Sequence, residues 1–121
     1  MNETQSFTID LLEIAPKNTI CLVQIPNSQN TELLKLFKPS KYVWGKEMKI
    51  TESNKLILQN LVLKANVEEE FQCLIIEDDT KMYLKAYDGM EVGEISKEFK
   101  VPEWFEKKYI ETNYCIRVSD W

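Results

Sequence analysis

The sequence predicts an α+β fold: an antiparallel sheet of about five or six strands with two or three helices packed on one face. Two observations carry that reading. The stretch Phe71 to Tyr87, FQCLIIEDDTKMYLKAY, is the densest β-forming run and holds an acidic turn, so it reads as a hairpin at the centre of the sheet. The runs TELLKLF, SNKLILQNLVLKA and PEWFEKKYI instead space their apolar residues at helical intervals. At 121 residues, 44% hydrophobic and 29% charged, the chain suffices for one core, and residues 1–121 are read as a single α+β domain.

Taken in order, FTIDLLEI (7–14) and TICLVQI (19–25) read as two strands joined through Pro16, Lys17 and Asn18. TELLKLF follows as a helix capped by Asn30 or Thr31, with Leu33, Leu34 and Phe37 on one face and Pro39 ending it. The segment 38–49 mixes Lys38, Lys41, Lys46 and Lys49 with Tyr42 and Trp44 and holds one acid, Glu47. Such interleaving can bind single-stranded nucleic acid by phosphate contact and stacking. The preferred reading is plainer: Tyr42, Val43 and Trp44 form a short strand covering the core, with solvated lysines around it.

SNKLILQNLVLKA admits a helix or a hairpin. In the helix, capped by Ser53 or Asn54, residues Ile57, Leu58, Leu61, Val62 and Ala65 make one stripe; in the hairpin, Gln59 and Asn60 form the turn. The helix is preferred because Gln-Asn makes a poorer tight turn than Asn-Gly. NVEEE is a polar link. In the hairpin that follows, Leu74 and Ile76 oppose Phe71, Cys73 and Ile75, so its first strand is expected to be buried on both faces. The connection is Glu77 to Thr80. On the returning strand Met82, Leu84 and Ala86 point one way and Tyr83, Lys85 and Tyr87 the other. Asp88 and Gly89 turn the chain into MEVGEI, a third strand. PEWFEKKYI is a helix with Trp104, Phe105 and Tyr109 on its packing side, and YCIRVSDW closes the sheet.

Composition narrows the chemistry. The chain contains no histidine, which removes histidine-based triads and the usual zinc sets. Cys21, Cys73 and Cys115 have neither metal-knuckle nor redox-motif spacing and read as buried free thiols in a reducing compartment. The start, MNETQSF, lacks the basic head and apolar run of a signal peptide, so a soluble, cytoplasmic protein is expected, with no membrane association and no cofactor.

The net charge of −5 is unevenly spread: residues 1–65 hold 8 basic and 6 acidic side chains, and residues 66–106 hold 4 and 12. An anionic middle repels phosphate backbones and draws in basic protein surfaces. The candidate partner-binding residues are therefore Glu68, Glu69, Glu70, Glu77, Asp78, Asp79, Asp88 and Glu91, with Tyr83 and Tyr87 as aromatic anchors on the outer hairpin face. Because the first trio precedes a strand and the second ends it, one metal ion cannot gather both. The competing reading of all these acids is a solvated rim.

Residues 91–110 also look superficially like a helix-turn-helix. Lys100 stands where its glycine is usual, Glu106 falls at an apolar position, and Glu103, Glu106 and Glu111 would face an anionic groove. In size, acidity and lack of histidine the chain resembles the small inhibitors of immunity, antitoxin and phage counter-defence systems, a likeness of type that rests on no shared motif. That likeness implies a non-enzymatic inhibitor of a basic, nucleic-acid-handling enzyme such as a toxin or nuclease. The alternative is a nucleic-acid-binding regulator using 38–49 or 91–110.

Overall fold

A computed structural model describes residues 1–119 of the chain. It is α+β, with a seven-stranded sheet in the order β2-β3-β1-β4-β5-β6-β7 and five helices. The strands are β1 (Ile20–Gln24), β2 (Lys38–Pro39), β3 (Lys46–Lys49), β4 (Cys73–Glu77), β5 (Met82–Tyr87), β6 (Val92–Ser96) and β7 (Cys115–Val118). All pairings are antiparallel except β6 with β7, which are joined by a helical crossover and run parallel. Asp120 and Trp121, the end of the expected closing strand, lie outside the described residues.

The first expected strand is a helix, α1 (Glu3–Ile14). Its start is set by a capping box: the Asn2 side chain accepts from Gln5 N at 2.9 Å and Gln5 Oε1 accepts from Asn2 N at 2.9 Å. Thr4, Phe7, Thr8, Leu11, Leu12 and Ala15 are buried, a stripe at helical spacing. The segment after Pro16 therefore leads from helix to strand and is not a hairpin turn.

The other helices are α2 (Thr31–Leu36), α3 (Glu52–Val62), α4 (Val67–Glu70) and α5 (Glu103–Phe105), the last continuing as a π-helical turn, Glu106–Ile110. Asn30 caps α2 as expected. Thr51 caps α3, displacing Ser53 and Asn54 from that role, because its hydroxyl accepts from Asn54 N. Leu58 and Val62 of α3, and Ala65 just after it, are buried in the core, whereas Ile57 is exposed. The NVEEE link is helical: burying Val67 completely gives α4 a reason to form. Phe105 and Tyr109 pack inward while Trp104 stays exposed.

One sheet face carries the core. Cys21, Val23, Leu74, Ile76, Leu84, Ala86, Ile95 and Cys115 alternate inward and meet Phe7, Leu11, Leu58, Val62 and Phe105 from the helices. A Cβ on Gly93 would lie 2.8 Å from both Cys115 Sγ and the Phe7 ring, so only glycine lets α1 pack this close. Among the described residues, every helix contributes to this core. On the opposite face Leu22 and Ile75 pair and are buried, as expected for a β4 covered on both sides. Lys41 reaches Glu77 at 3.5 Å, two strands away, so the 40–45 connection leans across this face.

Candidate partner-docking surface

The β4–β5 register fixes where the candidate residues go. Cys73 pairs with Tyr87 and Glu77 with Met82, so whatever precedes β4 shares an end of the sheet with whatever follows β5. Glu68, Glu69, Glu70, Asp88 and Glu91 gather at that end beside Tyr87. Glu77, Asp78, Asp79 and Tyr83 lie at the other, about 16 Å away for a strand of this length. The ten residues therefore form two groups.

Two anchors build the first group. Val67 and Phe71, both fully buried, pin α4 so that Glu69 projects into solvent, while Glu68, also exposed, accepts from the Thr4 hydroxyl at 3.5 Å. The β5–β6 turn runs through Asp88, Gly89 and Met90, all at positive φ, and is held by buried Met90, whose carbonyl accepts from the Tyr114 hydroxyl at 2.6 Å. A Cβ on Gly89 would come within 2.7 Å of the Glu68 carbonyl oxygen. Glycine there serves both the left-handed backbone and the close approach that brings the turn against α4. Glu3, at the start of α1, joins the same region: with Glu91 and Glu68 it adds to the burial that pushes the Tyr114 hydroxyl well above its ordinary pKa.

The carboxylates of this group differ in employment. Glu70 is spent internally, accepting from Ser28 Oγ and from Asn66 N, each at 2.8 Å. Glu3, Glu68, Glu69, Asp88 and Glu91 are exposed, and none of them takes part in an ion pair among the described residues. Tyr87 is half-buried beside Asp88, with Lys85 Nζ 5.6 Å from its ring centre. Burial first, then Glu94 and Asp88, raise its hydroxyl pKa. Tyr87, Lys85, Cys73, Gln24 and Asp88 line a shallow depression of about 460 Å³.

At the other end the acids serve the hairpin. Glu77 pairs with Lys41. Asp78 accepts from Thr80 N at 2.8 Å, Thr80 Oγ1 at 2.7 Å, Lys81 N at 3.0 Å and the Tyr83 hydroxyl. The Tyr83 bond first, then those from Thr80, hold its carboxyl well below the usual range. Asp79 is exposed. A bulge between Ile76 and Glu77 breaks the alternation of β5, and Tyr83 packs edge-on against Phe99 at 5.3 Å. The expected common outer face of Tyr83, Lys85 and Tyr87 is thus reduced to Lys85 and Tyr87.

Two further expectations change. Tyr42, Val43 and Trp44 form a turn, not a strand. Residues 91–110 are not a helix-turn-helix, because Val92–Ser96 is a sheet strand and only the second half is helical. Cys21 and Cys115 are buried and Cys73 half-buried, all free. Burial pushes the Cys115 thiol up to about 12 and also raises Cys21 and Cys73, so all three stay protonated at neutral pH. Among the described residues, no group of three or more cysteine and carboxylate side chains is placed to hold a metal ion, and no helix is long and apolar enough to cross a membrane. Sequence reasoning missed Glu3 and Tyr114; only the pairing of residues far apart in the chain brings them here. Comparison of the chain with protein-family models, curated proteins and solved structures returned no match.

Proposed function

We propose that this chain is a cytoplasmic, non-enzymatic inhibitor that lays its acidic sheet end on the cationic surface of a nucleic-acid-handling enzyme and occludes it. The observation that carries the reading is the close approach of the Gly89 turn to α4, which puts Glu68 and Glu69 at the same sheet end as Asp88 and Glu91, none of them in an ion pair among the described residues. Carboxylates held this way stand in for substrate phosphates, speeding encounter with a basic partner. Tyr87 supplies adjoining apolar area with a polar tip. Glu77 and Asp78, already engaged at the hairpin tip, contribute less.

Zero-length carbodiimide cross-linking in a lysate of the source cell tests this, since the reagent joins carboxylates to lysines in direct contact. The expected result is a basic protein joined through Glu68, Glu69, Asp88 or Glu91. Cross-links confined to Glu77 and Asp79, or a captured partner that is itself acidic, would contradict the assigned surface.

A further inference from the structure

We infer that the β2–β3 hairpin is a second binding surface, one that takes single-stranded nucleic acid. Ser40 makes its connecting loop rigid, accepting from Tyr42 N at 3.1 Å and donating to the Gly45 carbonyl at 2.7 Å, while Gly45 N donates to the Tyr42 carbonyl. That fixed loop holds large apolar side chains in water: Val43 is fully exposed and Trp44 is 43% exposed. Trp44 stacks on Tyr42 with ring centres 5.1 Å apart and planes 23° from parallel, a two-ring platform at the tip. The covered part of the indole rests on Tyr42 and beside a depression shared with Pro26, Leu34 and Lys46; its exposed part offers a π face, and bases stack on exposed aromatic rings whatever their identity.

The flanking charge selects an anionic ligand. Residues 31–49 contain five lysines and two acids, and Lys35, Lys38, Lys46 and Lys49 are all exposed. Lys38, on the edge strand β2, lies opposite Glu47, and Lys46 lies opposite Pro39, so Lys38 and Lys49 stand on one face of the hairpin and Lys46 on the other, around the sheet edge. Lys41 is committed to Glu77 and helps hold the loop. A base on Trp44 with phosphates on Lys46 beside it and, around the sheet edge, on Lys38 and Lys49 uses every feature of the hairpin. A duplex, its bases already stacked, uses only the lysines.

The test is fluorescence anisotropy of a labelled dT12 strand and a 12-base-pair duplex against the intact chain, with tryptophan emission followed in parallel. Expected are binding to dT12 at 20 mM salt, weaker binding to the duplex, and a slope of log affinity against log salt near −2, the value for about three phosphate contacts on a single strand. W44A, at an exposed position, should weaken dT12 binding about tenfold, in line with the loss of one stacked base. K38E/K46E/K49E should abolish the salt dependence, and W44F should lose the quenching that dT12 causes. No binding at 20 mM salt, a preference for duplex, or unchanged affinity in folded W44A would overturn the proposal. So would a second copy occupying the hairpin, seen as concentration-dependent sedimentation reversed by K38E/K46E/K49E. The acidic end uses different residues, so either proposal can fail while the other stands.

Discussion

Asp78 accepts four hydrogen bonds from groups within five residues of itself, which makes it the keystone of the β4–β5 turn. Its carboxyl titrates below the range it has in an unfolded chain, so ionised Asp78 stabilises the fold. The sign follows: that stabilisation is complete above the unfolded pKa of about 4 and is lost as pH falls toward the depressed folded value. In D78N the amide nitrogen cannot accept from Tyr83. Urea midpoints of wild type and D78N should differ by a constant amount above pH 5 and converge below pH 4. A gap that ignores pH would show that the turn does not depend on this ionisation. The charge run EDD gave no hint of the division of labour, since Asp78 is turned inward by Tyr83, whose position depends on a bulge that no local pattern announces.

At the scale of elements, Gln5 links two helices. Besides closing the capping box of α1, its Nε2 shares its two hydrogens among the carbonyls of Val62, Leu63 and Ala65 at 3.1–3.2 Å, at and just after the end of α3. Q5A removes both, and a loss of about 2 kcal/mol is expected from one missing cap plus partly unsatisfied carbonyls. It should appear as a lower urea midpoint at unchanged m-value; an unchanged midpoint would mean that water serves these groups equally well.

The same residue explains why the first element reads as a strand in the sequence yet folds as a helix. Phe7 to Ile14 alternates well enough, and Thr8 and Ile9 are β-branched, so the strand pattern fits. The deciding signal lay outside that window, in Asn2 and Gln5 at capping-box spacing. By contrast, β4, β5, β6 and α2 could be read directly, because each has either a dense apolar run or a clear stripe, while α3 was legible only as the preferred of two readings, helix over hairpin. Tyr42 to Trp44 has strand composition but is held as a turn by Ser40, a tertiary arrangement that propensity does not encode.

At the scale of the whole molecule, antiparallel pairing of β4 with β5 turns a charge run in the sequence into two separate groups in space. The gathering of Glu68 and Glu69 with Asp88 and Glu91 could be anticipated from that hairpin, since its two open ends must meet. The arrival of Glu3 and the commitment of Glu70 to Ser28 could not, because both depend on how α1 and the 26–30 connection pack. The molecule presents a helix-covered face, a mixed open face, an acidic sheet end and a basic edge hairpin. Rigid display of opposite charges on separate parts of the surface fits recognition of macromolecules by steering more than by deep enclosure.

The most direct test of the acidic end is the association rate with the cross-linked partner, measured across salt concentrations for two reversed chains. E68K/E69K/D88K/E91K should slow association at least tenfold at low salt and flatten its salt dependence, while E77K/D79K should leave most of both intact. Equal kinetics for wild type and the quadruple variant, or a larger effect from the hairpin-tip variant, would contradict the account.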